Sequence, residues 1–91
     1  MDFGEALGHL RAGRRLRPSR WEGTGKFVLL QRGYPEGVPI NANTATAFDL
    51  PEGTVCRFRP YLLKCTADGS FVPWVPTQGD SLGSDWSVVT A

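Results

Sequence analysis

Ninety-one residues, of which 41% are hydrophobic, 11% aromatic and 21% charged, describe one small folded domain over 1–91, since a disordered chain would carry fewer aromatics and more net charge. Ten basic residues against nine acidic ones leave +1, too near neutral for the phosphate-tracking surface of a general DNA binder, so DNA is not an expected partner. A chain this short buries only about 60–65% of the surface its unfolded form exposes, so disulfides, a metal or a second copy of itself is expected to add to its stability.

Of these three, the sequence favours the last. Cys56 and Cys65 are too sparse a pair for a disulfide framework and read as free thiols. His9 is the only histidine and the carboxylates are scattered, which leaves no metal-ligand spacing, and no cofactor is expected. No apolar run approaches the roughly 20 residues that cross a bilayer, and the first residues lack the apolar core of a signal peptide; no membrane partner and a cytoplasmic location are expected. Charge is unevenly distributed. Arg11, Arg14, Arg15, Arg17 and Arg20 face only Asp2 and Glu5 in the first twenty residues, which suits either a solvated helix end or attraction for a small anion.

In chain order, Phe3, Ala6, Leu7 and Leu10 fall at i, i+3, i+4 and i+7 and predict a helix, capped by Asp2 with Glu5 at its third position and stopped by Gly13. His9 lies near the edge of that stripe and is given no role. Arg15–Trp21 and Lys26–Gln31 have strand character and flank Glu22-Gly23-Thr24-Gly25, a hairpin signal. From Gly33 to Thr54 the chain is rich in proline and glycine and reads as a long connection, with one or two helical turns over Thr44–Leu50. Connections of this length are usually functional or ordered by a partner. Val55–Thr66 and Phe71–Val75, joined by Ala67-Asp68-Gly69, predict a second hairpin, in which Pro60 and Pro73 mark edges or bulges. Asp85–Val89 reads as a closing strand with Trp86 buried. The expected fold is α+β: an N-terminal helix packed on a curved, mainly antiparallel sheet.

Catalytic groups are scarce. There is no nucleophile elbow, no Cys-His arrangement and no phosphate loop opening a helix; Gly23-Thr24-Gly25-Lys26 has the wrong order for one and reads as a turn. What remains is aromatic residues beside small polar ones, a mixture that suits a nucleotide: bases stack on aromatic faces, amides and carboxylates read edges and ribose hydroxyls, and arginines meet phosphates. Trp86 reads as core, whereas Trp21, beside a glycine-rich turn, and Trp74, beside Val75-Pro76-Thr77-Gln78, suit a pocket wall.

Several stretches together carry a resemblance that runs over nearly the whole chain. They are Phe3-Gly4-Glu5-Ala6-Leu7, Arg20-Trp21 with Gly23 and Gly25, Gly33-Tyr34-Pro35 with Gly37-Val38-Pro39-Ile40-Asn41, and Phe58-Arg59-Pro60-Tyr61. Thr66-Ala67-Asp68-Gly69, Val72-Pro73-Trp74, Gln78, Asp80, Leu82 and Asp85-Trp86 complete the series. In these the chain resembles the second Thoeris anti-defence family of small phage and prophage proteins. The resemblance implies a protein that binds, without degrading it, the cyclic ADP-ribose isomer made by the TIR-domain sensor of Thoeris immunity. Some members also take cyclic di- or oligonucleotides of the cGAS-like (CBASS) systems. It further implies a homotetramer, a dimer of dimers with pockets at subunit interfaces.

The chain departs from the family pattern at two places. Glu22 and Lys26 stand where relatives have an amide and a thioether, which points to a shifted ligand preference, and Ser81 and Gly83 replace an apolar residue and a helix former, which points to a looser loop. For the pocket, Trp21 and Trp74 are assigned as stacking surfaces, Asn41, Thr77, Gln78 and Asp80 as readers of base edge and ribose, and Arg59 as a phosphate partner. Each has a structural alternative: Arg59 pairing with a carboxylate, Asp80 capping a short helix, Asn41 closing an Asx turn. Two other readings of the whole chain stand beside sequestration: direct inhibition of an immune effector through the Gly33–Thr54 connection, and nucleotide degradation with Asp80 as general base.

Overall fold

The computed structural model describes residues 1–90. Helix α1 (Phe3–Arg11) starts where the Asp2 side chain accepts the Glu5 N–H at 2.7 Å and gives way at Gly13, whose φ of +86° is open to glycine. Its apolar stripe lies on a five-stranded antiparallel sheet of order β6-β5-β2-β1-β7, formed by β1 (Leu16–Pro18), β2 (Phe27–Gln31), β5 (Tyr61–Cys65), β6 (Phe71–Pro73) and β7 (Trp86–Val88). Ala6 and Leu10 of the helix, Leu16, Val28 and Trp86 of the sheet, and Trp21 make the core, flanked by Phe3, Leu7, Leu62 and Trp74. The fold is α+β, as the helical and alternating patterns indicate.

Strand β1 is shorter than its apolar run. Pro18 has no N–H for the ladder, and Ser19–Trp21 leave the sheet in a 3-10 turn that drops Trp21 into the core. The hairpin to β2 is correspondingly thin, with Leu16 opposite Val28. Pro73 ends β6 at the sheet edge, where a missing donor costs little. Cys56 and Cys65 are free thiols.

The region read as one long connection holds two further elements, β3 (Tyr34–Pro39) and α2 (Ala42–Phe48). β3 pairs with β4 (Val55–Phe58) in a separate two-stranded ladder, with a bulge between Tyr34 and Val38. Val55–Thr66 is therefore not one strand. It divides at Arg59-Pro60 into β4 and β5, just as the facing chain divides at Arg32-Gly33 into β2 and β3. The β2/β5 ladder ends at Gln31 opposite Tyr61 and the β3/β4 ladder begins at Tyr34 opposite Phe58, so one antiparallel ribbon is broken once, across both strands. Beyond the break, Ile40, Ala45 and the Phe48–Phe58 ring pair, 6.1 Å apart, give the arm a small core of its own.

Gly33 explains why the break sits there. A Cβ at this position would lie 2.3 Å from the Phe58 carbonyl oxygen and 2.8 Å from the Pro60 nitrogen, so only glycine lets the two backbones cross this closely. Gly33→Ala is expected to destabilise the fold by about 1–3 kcal/mol, as overpacking against backbone does. Gly8→Ala, where nothing lies within 4 Å of the added carbon, is expected to be neutral or stabilising. Thermal denaturation of the two variants checks the contrast.

Candidate functional site

Segment Thr77–Trp86, expected to be loose, forms α3 (Gln78–Leu82) behind a complete capping box. The Thr77 hydroxyl accepts the Asp80 N–H at 3.1 Å, while Asp80 Oδ2 accepts the Thr77 N–H at 3.1 Å and its hydroxyl at 2.9 Å. Asp80 Oδ1 forms an ion pair with Arg20 of the 3-10 turn, and the Asp80 carbonyl accepts the Trp86 indole N–H at 2.9 Å. The neighbouring turn residue, Ser19, donates its N–H to Asp85 Oδ2 at 3.1 Å. Two carboxylates thus clamp the turn that carries Trp21.

Asp80 is only 3% exposed. Burial pushes its carboxyl up, but the hydrogen bonds from Arg20 and Thr77, with the guanidinium charge, outweigh this and hold it below the ordinary carboxylate value. It is ionised at neutral pH with both oxygens engaged, Oδ1 by Arg20 and Oδ2 by the Thr77 N–H and hydroxyl. This is the capping role given above as the alternative to ligand reading.

Four indole and phenyl rings meet over this clamp. Trp21 and Trp74 are 6.3 Å apart at 72°, Trp74 and Trp86 6.0 Å at 71°, and Phe3 lies 5.2 Å from Trp86. The two indole pairs are edge-to-face, the geometry aromatic cores prefer, and Phe3 is tilted against Trp86. Trp21 is 6% exposed, and two cations already lie over its ring, Lys64 Nζ at 4.7 Å and the Arg20 guanidinium at 5.3 Å. Within the chain it is a wall and a cation seat. Trp74 is half-buried at the sheet edge, its backbone N–H donating to the Leu62 carbonyl at 3.0 Å. Beside it Val75 is 82% exposed, and Gln78 opens α3 towards solvent with its amide in no hydrogen bond among the described residues.

The structure therefore brings together Trp21, Trp74, Thr77 and Asp80, with Gln78 on the same short helix, and sets Asn41 and Arg59 apart. Asn41 caps α2, its side-chain oxygen accepting the Thr44 N–H at 2.9 Å. Arg59 lies at the ribbon break and lines a cleft of about 650 Å³. Arg20 and Lys64 are the residues that sequence reasoning missed. Lys64 carried a signal: it sits opposite Val28 and alternates with Leu62, so it is a lysine on the core-facing side of a strand. The rim that results, an accessible indole beside two cations and a free amide, suits an anionic ligand with a flat ring.

Residues 1–89 match the Thoeris anti-defense 2-like domain. The chain belongs to this family. It is 30% identical over 90 residues to Thoeris anti-defense 2 of Bacillus phage SP01, across 99% of this chain and 96% of that protein. An anti-defence role goes with membership of the Thoeris anti-defense 2-like family, and the capped α3, the clamped turn and the indole cluster are the features of this member on which that role has to be built. No helix among the described residues is long and apolar enough to cross a membrane, and none of their His, Cys, Asp and Glu side chains cluster as metal ligands.

Because the folded pKa of Asp80 lies below its ordinary value of 3.8, its contribution to stability is complete above that pH and is lost as the pH falls through the folded value. Asp80→Asn is expected to cost about 1–3 kcal/mol at neutral pH, the scale of hydrogen bonds to a charged group. The gap to wild type should narrow as the pH falls below 3.8 and through the folded value, where the Asp80 carboxyl takes up its proton. Chemical denaturation of both proteins as a function of pH measures it.

Proposed function

We propose that the protein acts against bacterial immunity by sequestering a nucleotide signal, a cyclic ADP-ribose isomer, which it holds without breaking. The observation that carries this reading is the pairing of a half-buried indole and two cations with a carboxylate engaged in capping and in an ion pair. Stacking on Trp74 contributes roughly 1–3 kcal/mol per base, Lys64 and Arg20 offer charge to a pyrophosphate, and Gln78 and the exposed edge of Thr77 supply polar contacts. A site so furnished binds, and no residue in it is poised to activate water. The wider range implied by the resemblance, cyclic di- or oligonucleotides, fits the same chemistry.

A homo-oligomer, in the family's form a tetramer built as a dimer of dimers, is part of the proposal. Val75 and Leu82, respectively 82% and 78% exposed, lie on the segments that carry the rim and suit burial against a second copy, which would close the open side of the site. Sequestration then works by mass action inside the infected cell: tight binding, slow release and enough copies to exceed the signal.

Direct inhibition of an effector has one observation in its favour, the arm built from β3, α2 and β4, which exposes Tyr34, Phe48, Leu50 and Val55. The two readings part on one experiment. The purified protein is mixed with the cyclic ADP-ribose isomer, binding is measured by calorimetry, and the ligand is recovered after heat denaturation and analysed by chromatography. Tight binding with intact recovery is expected, and Trp74→Ala should weaken it about tenfold or more, the scale of one lost stack. A hydrolysed product, or a stable complex with the effector when no nucleotide is present, overturns sequestration.

A further inference from the structure

We propose that Asp68 is a positioning residue for Trp74: the turn it closes between β5 and β6 sets the register in which β6 delivers that indole to the rim. The strand does not choose its own register. Phe71-Val72-Pro73-Trp74-Val75 carries no polar residue, so the alternation that tells a strand which face to bury is missing. β6 is three residues long and pairs on one side only, with β5, at the edge of the sheet. Both faces of this edge are apolar. On one, Trp74 and Leu62 pack against the core and Lys64 lies over Trp21; on the other, the rings of Phe71 and Phe27 meet with centroids 6.4 Å apart.

Pro73 and the turn share the choice. The Trp74 N–H donates to the Leu62 carbonyl at 3.0 Å, so the neighbouring Pro73 has its missing donor at the free edge. A slip of one residue would turn that nitrogen towards β5 and carry Trp74 to the Phe27–Phe71 face. A slip of two residues escapes both penalties, keeps every face and moves the indole about 7 Å along the ladder, away from Trp21 and Trp86. The turn excludes it. Thr66 donates its N–H to the Ser70 carbonyl at 2.8 Å, and Gly69, at φ +87°, donates its N–H to the Thr66 carbonyl at 3.0 Å, which is a three-residue hairpin loop with a left-handed third position. Asp68 ties both legs of this loop to one atom: its Oδ1 accepts the Ser70 N–H at 2.9 Å, the Ser70 hydroxyl at 2.6 Å and the Thr66 hydroxyl. These bonds from Ser70 and Thr66 hold its carboxyl down to about 2, so they persist at neutral pH. Asp68 is exposed and its side-chain bonds stay within residues 66–70, so its removal leaves the core packing untouched.

Register can be read by NMR without a ligand. The pairs Cys65–Phe71 and Leu63–Pro73 alternate with the bonded pairs Thr66–Ser70 and Leu62–Trp74, so their Cα atoms face each other at about 4.5 Å and their α-protons give strong nuclear Overhauser effects. Both effects are expected in the wild-type protein and should be lost in Asp68→Ala. Asp68→Asn, which keeps an acceptor oxygen in a turn that asparagine favours, should restore them, and Ser70→Ala, which removes one hydroxyl donor, should fall between. The effect on binding rests on the reading that Trp74 stacks on the signal. By calorimetry with the cyclic ADP-ribose isomer, Asp68→Ala should bind about tenfold more weakly than wild type, as Trp74→Ala does, and should add nothing to Trp74→Ala in the double variant, because both remove the same stack. Asp68→Asn should bind as wild type, and thermal denaturation confirms that each variant is folded. Register effects that survive in Asp68→Ala overturn the proposal, as do losses of affinity that add in the double variant or that Asp68→Asn fails to recover. A wild-type protein that binds no nucleotide overturns sequestration instead, and the register measurement then decides the role of Asp68 by itself.

Discussion

A carboxylate as buried as Asp80 would cost several kcal/mol if its oxygens lost water and gained nothing. Each of its polar groups is instead spent on a different element: one oxygen on Arg20 in the 3-10 turn, the other on Thr77 at the start of α3, the carbonyl on the Trp86 indole in β7. The 3-10 turn, 60 positions away, is thereby held against α3 and the β7 strand that follows it. The indoles depend on it, because Trp21 follows Arg20 directly and Trp86 is aimed by its N–H. The accessible face of Trp74 is in turn defined by the two rings packed against its edge. A carboxylate engaged on both oxygens is the reason that the rim beside it has a fixed shape.

The second constraint is steric and acts at the other end of the ribbon. A continuous two-stranded ladder running from Phe27 to Pro39 would extend β2 straight through β3. The break at Arg32-Gly33 and Arg59-Pro60 removes ladder bonds from both strands at one level, and a proline without a donor sits where a bond is missing. Past the break the arm has only a bulged ladder, one short helix and a few buried side chains to hold it, and the chain's extent of 44 Å against 27 and 26 Å reflects this division. The body is braced by carboxylate and indole contacts, the arm by glycine and proline geometry. The candidate site lies on the body side of that division, where two cations rest over an indole.

The legibility of these features in the sequence follows from how local their causes are. Helix α1 was legible because its stripe, its Asp2 cap and its Gly13 stop all lie within a dozen residues. The closing strand with Trp86 and the β5–β6 turn were legible for the same reason. β3 was not, because Tyr34-Pro35-Glu36-Gly37-Val38-Pro39 carries the residues of a turn; a bulge uses them inside a strand, Gly37 adopting φ +95°. Thr77 and Asp80 stand at the spacing of a capping box, yet the same two residue types serve nucleotide recognition, and the three-residue spacing alone does not choose between them. Burial chooses, and burial depends on Arg20, sixty positions away. Lys64 was hidden for a related reason: a lysine in a strand reads as solvent-facing until its partner, Val28, is known to be in the core.

These two kinds of constraint bear on what a small binding protein has to achieve. Ordering a flexible site on binding costs about 0.5–1.5 kcal/mol for each long side chain immobilised, and a domain of this size has little stability to draw upon. Seating Lys64 and Arg20 over Trp21 before any ligand arrives removes part of that cost, because the cations are already positioned by the ring and, for Arg20, by Asp80. The same seating keeps the charges partly desolvated, so that a phosphate meeting them gains more than it would from lysines free in water. Pre-positioned cations raise affinity mainly by slowing release, and slow release is the property on which the proposed sequestration depends.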